Sequence, residues 1–397
     1  MADTGRTPDG APALSLAERD RRYALIRNEL SERNIDALIV GGSHLLYLSN
    51  GLPGEMVGVL PREEAESFTA ILPWRFLVDI PKQVLLDAQD WVTDLRSGRA
   101  PPPPVIERLK ELRVENGTVG YAGPFSHQLH SALSRAMPGL TLVDASDILN
   151  NVRTIKSDEE IELIDRANHI FNAAIERIHA EARPGMLGRE VVQIGLNAMW
   201  DAGGDIDSAF SFNFGDTPAQ NPVLAEICLD RTIREGDVGT LTAHSHYRHY
   251  AGHSDQEIVF GEPKKRHVEM FEAVKAVRRQ VLGRVKAGAT HKDLVETYNS
   301  ASSETGFETS EHSQMHQYGL DVPEFPGVSY RLEDGKGMRG LGGAGNFRLE
   351  TGMIYSISPT LIHGPTGDLL LGGTSLAVTD GGFRELGARE VELLVAG

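Results

Sequence analysis

One cysteine, Cys228, stands in a chain of 397 residues. With no second thiol there is no intrachain disulfide framework, and such sparse cysteine suits a reducing compartment. No stretch approaches the roughly 18 consecutive apolar residues that a membrane-spanning helix needs. The opening "MADTGRTPDGAPALSLAERDRR" also lacks the apolar centre of a secretory leader. These shortages give the expectation of a soluble, cytoplasmic protein with no membrane partner. Basic side chains are in deficit, 39 Lys and Arg against 56 Asp and Glu, for a formal charge of −17. Binding to a phosphate backbone is driven by Lys and Arg, so nucleic acid is excluded as a partner. The remainder is ordinary globular material, 40% hydrophobic and 24% charged, over a length that suits two domains.

The first 14 residues read as a disordered tail. From there "SLAERDRRYALIRNELSERN" spaces its apolar residues as a helix does, and "IDALIVGG" follows as a short buried strand. Further short apolar runs, "FTAIL", "TVGYAG" and "LTLVDA", make residues 15–150 one small α/β domain. The four prolines of "APPPPVIERL" exclude a helix interior and mark either a loop or a helix N-terminus. A second domain, 151–397, opens at Ser157. That residue forms a capping box with Glu160, and the stripe Ile161, Ile164, Ala167, Ile170 predicts a long helix over 158–182.

Inside the second domain a faint repeat links "RPGMLGREVVQ" at Arg183 to "KAGATHKDLVE" at Lys286. Each follows a long helical pattern (158–182 and 265–285), and each reads as a glycine-marked turn into a second helix with strands beyond. Two helix-pair-plus-sheet halves related by pseudo-symmetry are expected, with a site between them.

The densest chemistry lies in "GTLTAHSHYRHYAGHSDQEIVFGEP", which alternates as a hairpin yet carries His244, His246, His249, His253 and Asp255. Each histidine alone is more simply a solvated or satisfied sheet residue; the cluster is what asks for chemistry. Side chains two apart on a strand share a face, so His244, Asp255 and, further along, Glu257 face the same way as positions 242 and 253. Imidazole titrates near neutrality and a carboxylate beside it can fix its tautomer, the needs of an acid–base pair. His246 and His249 fall toward the turn, where solvent or a subunit contact accounts for them.

The ordered set "VRTIKSDEEIELIDRA", "REGDVGTLTAHSHYRHYAGHSDQEIVFGEP", "HSQMHQYGLDVPEFP" and "LETGMIYSISPTLI" resembles the pita-bread fold of methionine and Xaa-Pro aminopeptidases, creatinase and ectoine hydrolase. The segment before it resembles the creatinase-type N-terminal domain. The resemblance implies an α/β (α+β) protein of two domains and a hydrolase. Metallopeptidases of that fold hold two divalent metals with two aspartates, a histidine and two glutamates. Carried over residue by residue, those positions are Thr242, His253, His316, Ser358 and about Gly372. Only His316 keeps its ligand, so neither a dinuclear metal site nor any other cofactor is expected. Creatinase works without metal, but its acid–base histidine maps to the stretch holding Gln220, its first glutamate to Asp255 and its second again to Ser358.

The leading expectation is therefore a metal-independent, creatinase-like hydrolase or lyase acting at a C–N or neighbouring bond of a small polar substrate. His253 or His316 would shuttle the proton and Asp255 would orient or stabilise it. His244, Gln220, Glu324, Tyr330 and Arg331 are expected to bind substrate, Tyr330 and Arg331 falling where creatinase grips a carboxylate with an arginine. His312 matches a position that is often histidine in relatives, and Pro323 replaces another. "EDGKGMRGLGGAGN" lacks the strand-then-helix setting of a phosphate loop and reads as a loop near the pocket mouth. Two alternatives stand: a catalytically silent binding protein, and a mononuclear metal site of His244, His253, His316 and Asp255. Relatives of creatinase type imply a homodimer whose pocket is completed by the partner's N-terminal domain, with "SNGLPGEMVG" as the reaching loop.

Overall fold

The computed structural model describes residues 6–7, 10–52, 56–73, 86, 89–98, 100–214, 228–309, 314–326 and 347–397. It divides into two units, Met1–Arg153 and Thr154–Gly397. Gln220, His312, Tyr330, Arg331, the glycine-rich stretch 333–346 and the tip of the proposed reaching loop lie outside the described residues. Within the expected tail, Arg6 bridges Pro12, and Thr7 N donates to Ala11 O at 2.9 Å, so a turn forms there.

The first unit is a six-stranded mixed sheet. Its strands are β1 (Ala37–Val40), β2 (Val57–Pro61), β3 (Thr69–Pro73), β4 (Asp94–Gly98), β5 (Thr118–Ala122) and β6 (Thr141–Asp144), in the order β4-β3-β2-β1-β5-β6. Its first helix, Leu16–Glu32, starts at Ser15, whose side chain accepts from Glu18 N. The proline run resolves as a helix N-terminus: the helix Pro102–Glu111 begins inside it, where a missing N–H costs nothing. Val105, Leu109, Val119 and Leu133 pack with Ile39 and Ile71 into this unit's core.

The second unit opens with the helix Asp158–Glu181 and the expected Ser157–Glu160 capping box. Ile164, Ala167, Ile170 and Phe171 are buried along one stripe, the two isoleucines and the phenylalanine each contributing about 1.5–3 kcal/mol. The helix comes so close to the hairpin that a Cβ on Gly252 would meet the backbone of Ala167 and Asn168 at 2.5 and 2.6 Å; only glycine fits.

The predicted repeat is built twice with the same bonds. In the first copy Gly185 N donates to Ile233 O, Ile233 N to Met186 O and Gly188 N to Arg231 O. In the second Gly288 N donates to Leu349 O, Leu349 N to Ala289 O and His291 N to Phe347 O. Gly185 (φ 94°) and Gly288 (φ 86°) supply the left-handed turns. Each turn leads into a helix, Gly188–Asp201 or His291–Ser303. The strands after the first copy are β7 (Ala209–Phe214), β8 (Val238–Tyr247) and β9 (Tyr250–Phe260). After the second come β10 (Glu308–Thr309), β11 (Gln314–Gln317), β12 (Ile354–Ser358), β13 (Thr360–His363), β14 (Asp368–Leu371), β15 (Thr374–Thr379) and β16 (Gly382–Glu385). With β17 (Leu394–Ala396) they form sheets ordered β17-β9-β8-β7, β11-β12-β15-β16 and β10-β13-β14. Among the described residues no helix is long and apolar enough to cross a membrane.

Candidate active site

The register of β8 on β9 sets Thr240 opposite Glu257, Thr242 opposite Asp255 and His244 opposite His253. Because the period along each strand is two, all six side chains stand on one face. Strand β11 brings His316 to the same place. The His253 ring lies 4.8 Å from that of His244 and 5.0 Å from that of His316, centroid to centroid. His253, Asp255 and His316 are buried, while Thr242 and His244 are half-buried.

The environment fixes protonation. His316 Nδ1 lies 3.1 Å from the Gln317 carbonyl, which can only accept, so the proton sits on Nδ1 and the Nε2 lone pair remains available. Burial pulls the His316 pKa down to about 4, against the small upward pull of that carbonyl. His244 is lowered to about 4 as well, by burial first and then by the nearby His246 and His316. Both imidazoles are neutral bases at neutral pH.

Asp255 does not meet an imidazole. Its Oδ1 accepts from Thr242 Oγ1 at 2.6 Å and its Oδ2 from Ser358 Oγ at 2.7 Å. This corrects the expectation that Asp255 orients a histidine: two hydroxyls hold it. Burial raises its pKa, and the two hydroxyl bonds only partly oppose the rise. Glu257 is raised well above the usual carboxylate range by burial, despite bonds from Thr240 Oγ1 at 2.9 Å and Leu371 N at 3.1 Å.

The fifth position is Gly373 rather than about Gly372. A Cβ on Gly373 would lie 3.1 Å from Ser358 Oγ and 2.6 Å from Asp255 N, whereas one on Gly372 would meet Val274 and Val391. Glu324, expected to bind substrate, is otherwise engaged. Its Oε2 takes the buried Lys156 ammonium at 2.8 Å and its Oε1 accepts from Leu320 N and Asp321 N, pinning the turn after β11. His249 sits in a two-residue turn, and its backbone N donates to Asp205.

Three participants escaped sequence reasoning. Tyr318 lies 6.0 Å from the His253 ring and takes a bond from Asn168 Nδ2 at 3.1 Å. Ser375 Oγ donates to the His253 carbonyl, and Lys156 anchors Glu324. Tyr318 was findable, standing two residues beyond His316; Ser375 and Lys156 carry no signal in their spacing.

A dinuclear metal centre fits this donor set poorly. Thr242 and Ser358 turn their protons toward Asp255, Gly373 has no donor, and only two imidazoles remain of the five positions. Among the described residues, no group of three or more His, Cys, Asp and Glu side chains converges as a metal cage.

Residues 22–155 match the Creatinase/Prolidase N-terminal domain and residues 162–385 the Metallopeptidase family M24. The chain is 24% identical over 299 residues to the Xaa-Pro dipeptidase of Pyrococcus furiosus, spanning 73% of this chain and 79% of that one. Among solved structures, the Xaa-Pro dipeptidase from Bacillus anthracis superposes with a TM-score of 0.80 at 21% identity, over 95% of this chain and 99% of the other. Dipeptidase PepE from Mycobacterium ulcerans gives 0.76 at 21% identity, over 98% and 99%. These likenesses carry the fold, two-domain α/β with a pita-bread second domain. The family match spans more than half the sequence and runs through every strand of the site, and by it the chain belongs to the Metallopeptidase family M24.

Proposed function

We propose that the protein is a hydrolase that cleaves a C–N bond of a small polar substrate without a dinuclear metal centre, by acid–base chemistry at His316 and His253. The observation that carries this reading is the tautomer of His316. With Nδ1–H committed to the Gln317 carbonyl, Nε2 is a neutral base beside the His253 ring. In the proposed step Nε2 takes a proton from water as the water oxygen adds to the substrate carbon. The imidazolium, or His253 beside it, then gives a proton to the departing nitrogen as the C–N bond breaks. Asp255, whose pKa burial raises, is held between two hydroxyls rather than against an imidazole and so borders the proton path without orienting either histidine. His244, half-buried at the edge of the cluster, is the candidate for substrate contact, as are Gln220, Tyr330 and Arg331; Glu324 acts through the turn that it pins.

The test is turnover of Xaa-Pro dipeptides, the class named in the relatives, and of small amides and amidines, before and after chelation, with elemental analysis alongside. Turnover that survives chelation supports the reading. Chelator-sensitive turnover with about two ions per chain overturns it. One ion, lost in His253→Ala, would instead establish the three-imidazole metal site, and saturable binding of these compounds with no turnover would establish a binding protein. A homodimer whose pocket is completed by the partner's N-terminal domain belongs to the same proposal. Sedimentation showing only monomer at micromolar concentration would remove it.

A further inference from the structure

His253 ends a chain of hydrogen bonds that begins on a helix. Asn168 on the helix Asp158–Glu181, Tyr318 just after β11, Ser375 on β15 and His253 on β9 follow one another in it, and all four are buried. Asn168 Nδ2 donates to Tyr318 Oη at 3.1 Å. Tyr318 in turn bonds Ser375, whose Oγ donates to the His253 carbonyl.

The direction of the chain is forced. Asn168 Nδ2 also donates to Ile164 O at 2.9 Å, a carbonyl that can only accept, so the amide nitrogen is the atom that faces Tyr318. Tyr318 Oη accepts there and gives its one proton to Ser375 Oγ. Ser375 thereby keeps its own proton for the His253 carbonyl, and one arrangement of protons satisfies all three bonds.

The same stretch of β9 is gripped from other sides. Ala251 N donates to Gly319 O at 2.7 Å, one residue beyond Tyr318. Gly252 lies against the backbone of Ala167 and Asn168, and Ser245, opposite it, donates to Ala167 O at 2.7 Å. These contacts fix main chain. Tyr318 reaches both parts of His253: the carbonyl through Ser375, and the imidazole through its own ring, 6.0 Å away and edge-on at 74°. A phenylalanine would offer the same ring edge, so the buried hydroxyl is the part that packing leaves unexplained.

We propose that Tyr318 is a positioning residue for His253, holding that imidazole against the one of His316 through the Ser375 hydroxyl and the edge of its own ring. The proposal rests on the acid–base role given to His253 above. The chain ends at a backbone carbonyl, so its influence on turnover passes through the placement of the imidazole. That influence falls on the chemical step rather than on substrate affinity.

Tyr318→Phe keeps the ring and removes the hydroxyl. With Xaa-Pro dipeptides and small amides as substrates, it should lower kcat about ten- to a hundredfold and leave KM within about twofold. Ser375→Ala should do the same, and the double variant should be no worse than either, because one chain is cut twice. In a His253→Ala background Tyr318→Phe should cost nothing further, whereas a role confined to folding would cost the same in both backgrounds. Undiminished kcat in Tyr318→Phe, or an equal loss in the His253→Ala background, overturns the proposal. Carbon–proton spectra of the histidine-labelled full chain read the ring without turnover. The Cε1–Hε1 signal that His253→Ala removes should be single in the unaltered protein and broadened or doubled in Tyr318→Phe; an unchanged signal overturns the proposal as well. If His253→Ala leaves activity intact, the catalytic reading fails on its own, and the spectrum still decides whether Tyr318 orders that ring. Should Tyr318→Phe fail to fold, Ser375→Ala carries the same readouts.

Discussion

The two halves of the second unit are one design executed twice, and they part company at the site. The offset that relates Ile233 to Leu349 and Val238 to Ile354 also relates Thr242 to Ser358, and these two residues donate to the two oxygens of a single carboxylate, that of Asp255. Opposite Thr242 the first half places Asp255. Continuing the β12–β15 register one step beyond Ile357 and Thr374, the second half places Gly373 opposite Ser358. Strand β7 sets Asn213 opposite Thr240, where β11 sets His316 opposite Ser356. Backbone symmetry survives because it is carried by hydrogen bonds and glycine turns that serve the fold in both copies. Side chains diverge at the pocket: the first half supplies the carboxylate of Asp255 with the imidazoles of His244 and His253, while the second supplies His316 and, opposite Ser358, a glycine in place of an acid.

The largest test of that division of labour is activity. His316→Ala should lower kcat/KM by about 10²- to 10⁴-fold, as should His253→Ala, while Asn213→Ala, the counterpart of His316 in the first half, should cost far less. The pH profile sharpens this. A base must be neutral to act, and burial sets the His316 pKa at about 4. Activity should therefore be lost as pH falls through about 4, not through the ordinary histidine value, and an acid limb near 6.5 would place the base elsewhere.

Next in size is packing at the odd glycine. In Gly373→Ala the new methyl would lie 2.6 Å from Asp255 N, a backbone atom that cannot swing aside, so a loss of about 1–3 kcal/mol is expected in urea unfolding. An unchanged midpoint would mean that the two halves can separate at this point without cost.

Much of this was legible beforehand, and the misses share a cause. The capping box at Ser157, the two glycine turns and the facing of His244, His253 and Asp255 rest on local spacing, which a sequence displays directly. The partners of Asp255 depend on how one sheet meets another. Thr242 and Ser358 stand far apart in the chain, and nothing in the alternation of either strand says that their hydroxyls converge. The partner of Glu324 was hidden for the same reason: its carboxylate pairs with Lys156, distant in sequence. The shift from Gly372 to Gly373 shows how far a spacing argument reaches at the end of an element, where one residue decides which side chain enters the pocket.

Smaller again is the effect of removing either hydroxyl from Asp255. Thr242→Val and Ser358→Ala should each cost about 1 kcal/mol by denaturant titration, near-equal because the bonds are alike at 2.6 and 2.7 Å. The double variant should depart from additivity, since a carboxyl that loses both donors protonates more readily and so loses less than two separate bonds. Strict additivity would mean that Asp255 does not couple the halves.

The smallest expected change concerns the turns, where the halves differ most in length. The first half joins β8 to β9 with Arg248 and His249 alone, at φ 50° and 68°, both left-handed and neither glycine. The second spends β13 and β14 on the equivalent connection between β12 and β15. A tight two-residue turn of this hand matches the twist of its strands, but it strains a residue that carries a Cβ. His249→Gly should relieve that strain and stabilise the protein by about 0.5 kcal/mol, because the bond from its backbone N to Asp205 Oδ2 needs no side chain. Arg248→Gly should gain less, since Arg248 also lies over the Tyr247 ring at 6.0 Å and that contact would go. Thermal unfolding of the two variants orders them. If His249→Gly instead lowers stability or activity, the histidine at the turn has a partner or a task, and the short connection of the first half is functional rather than merely economical.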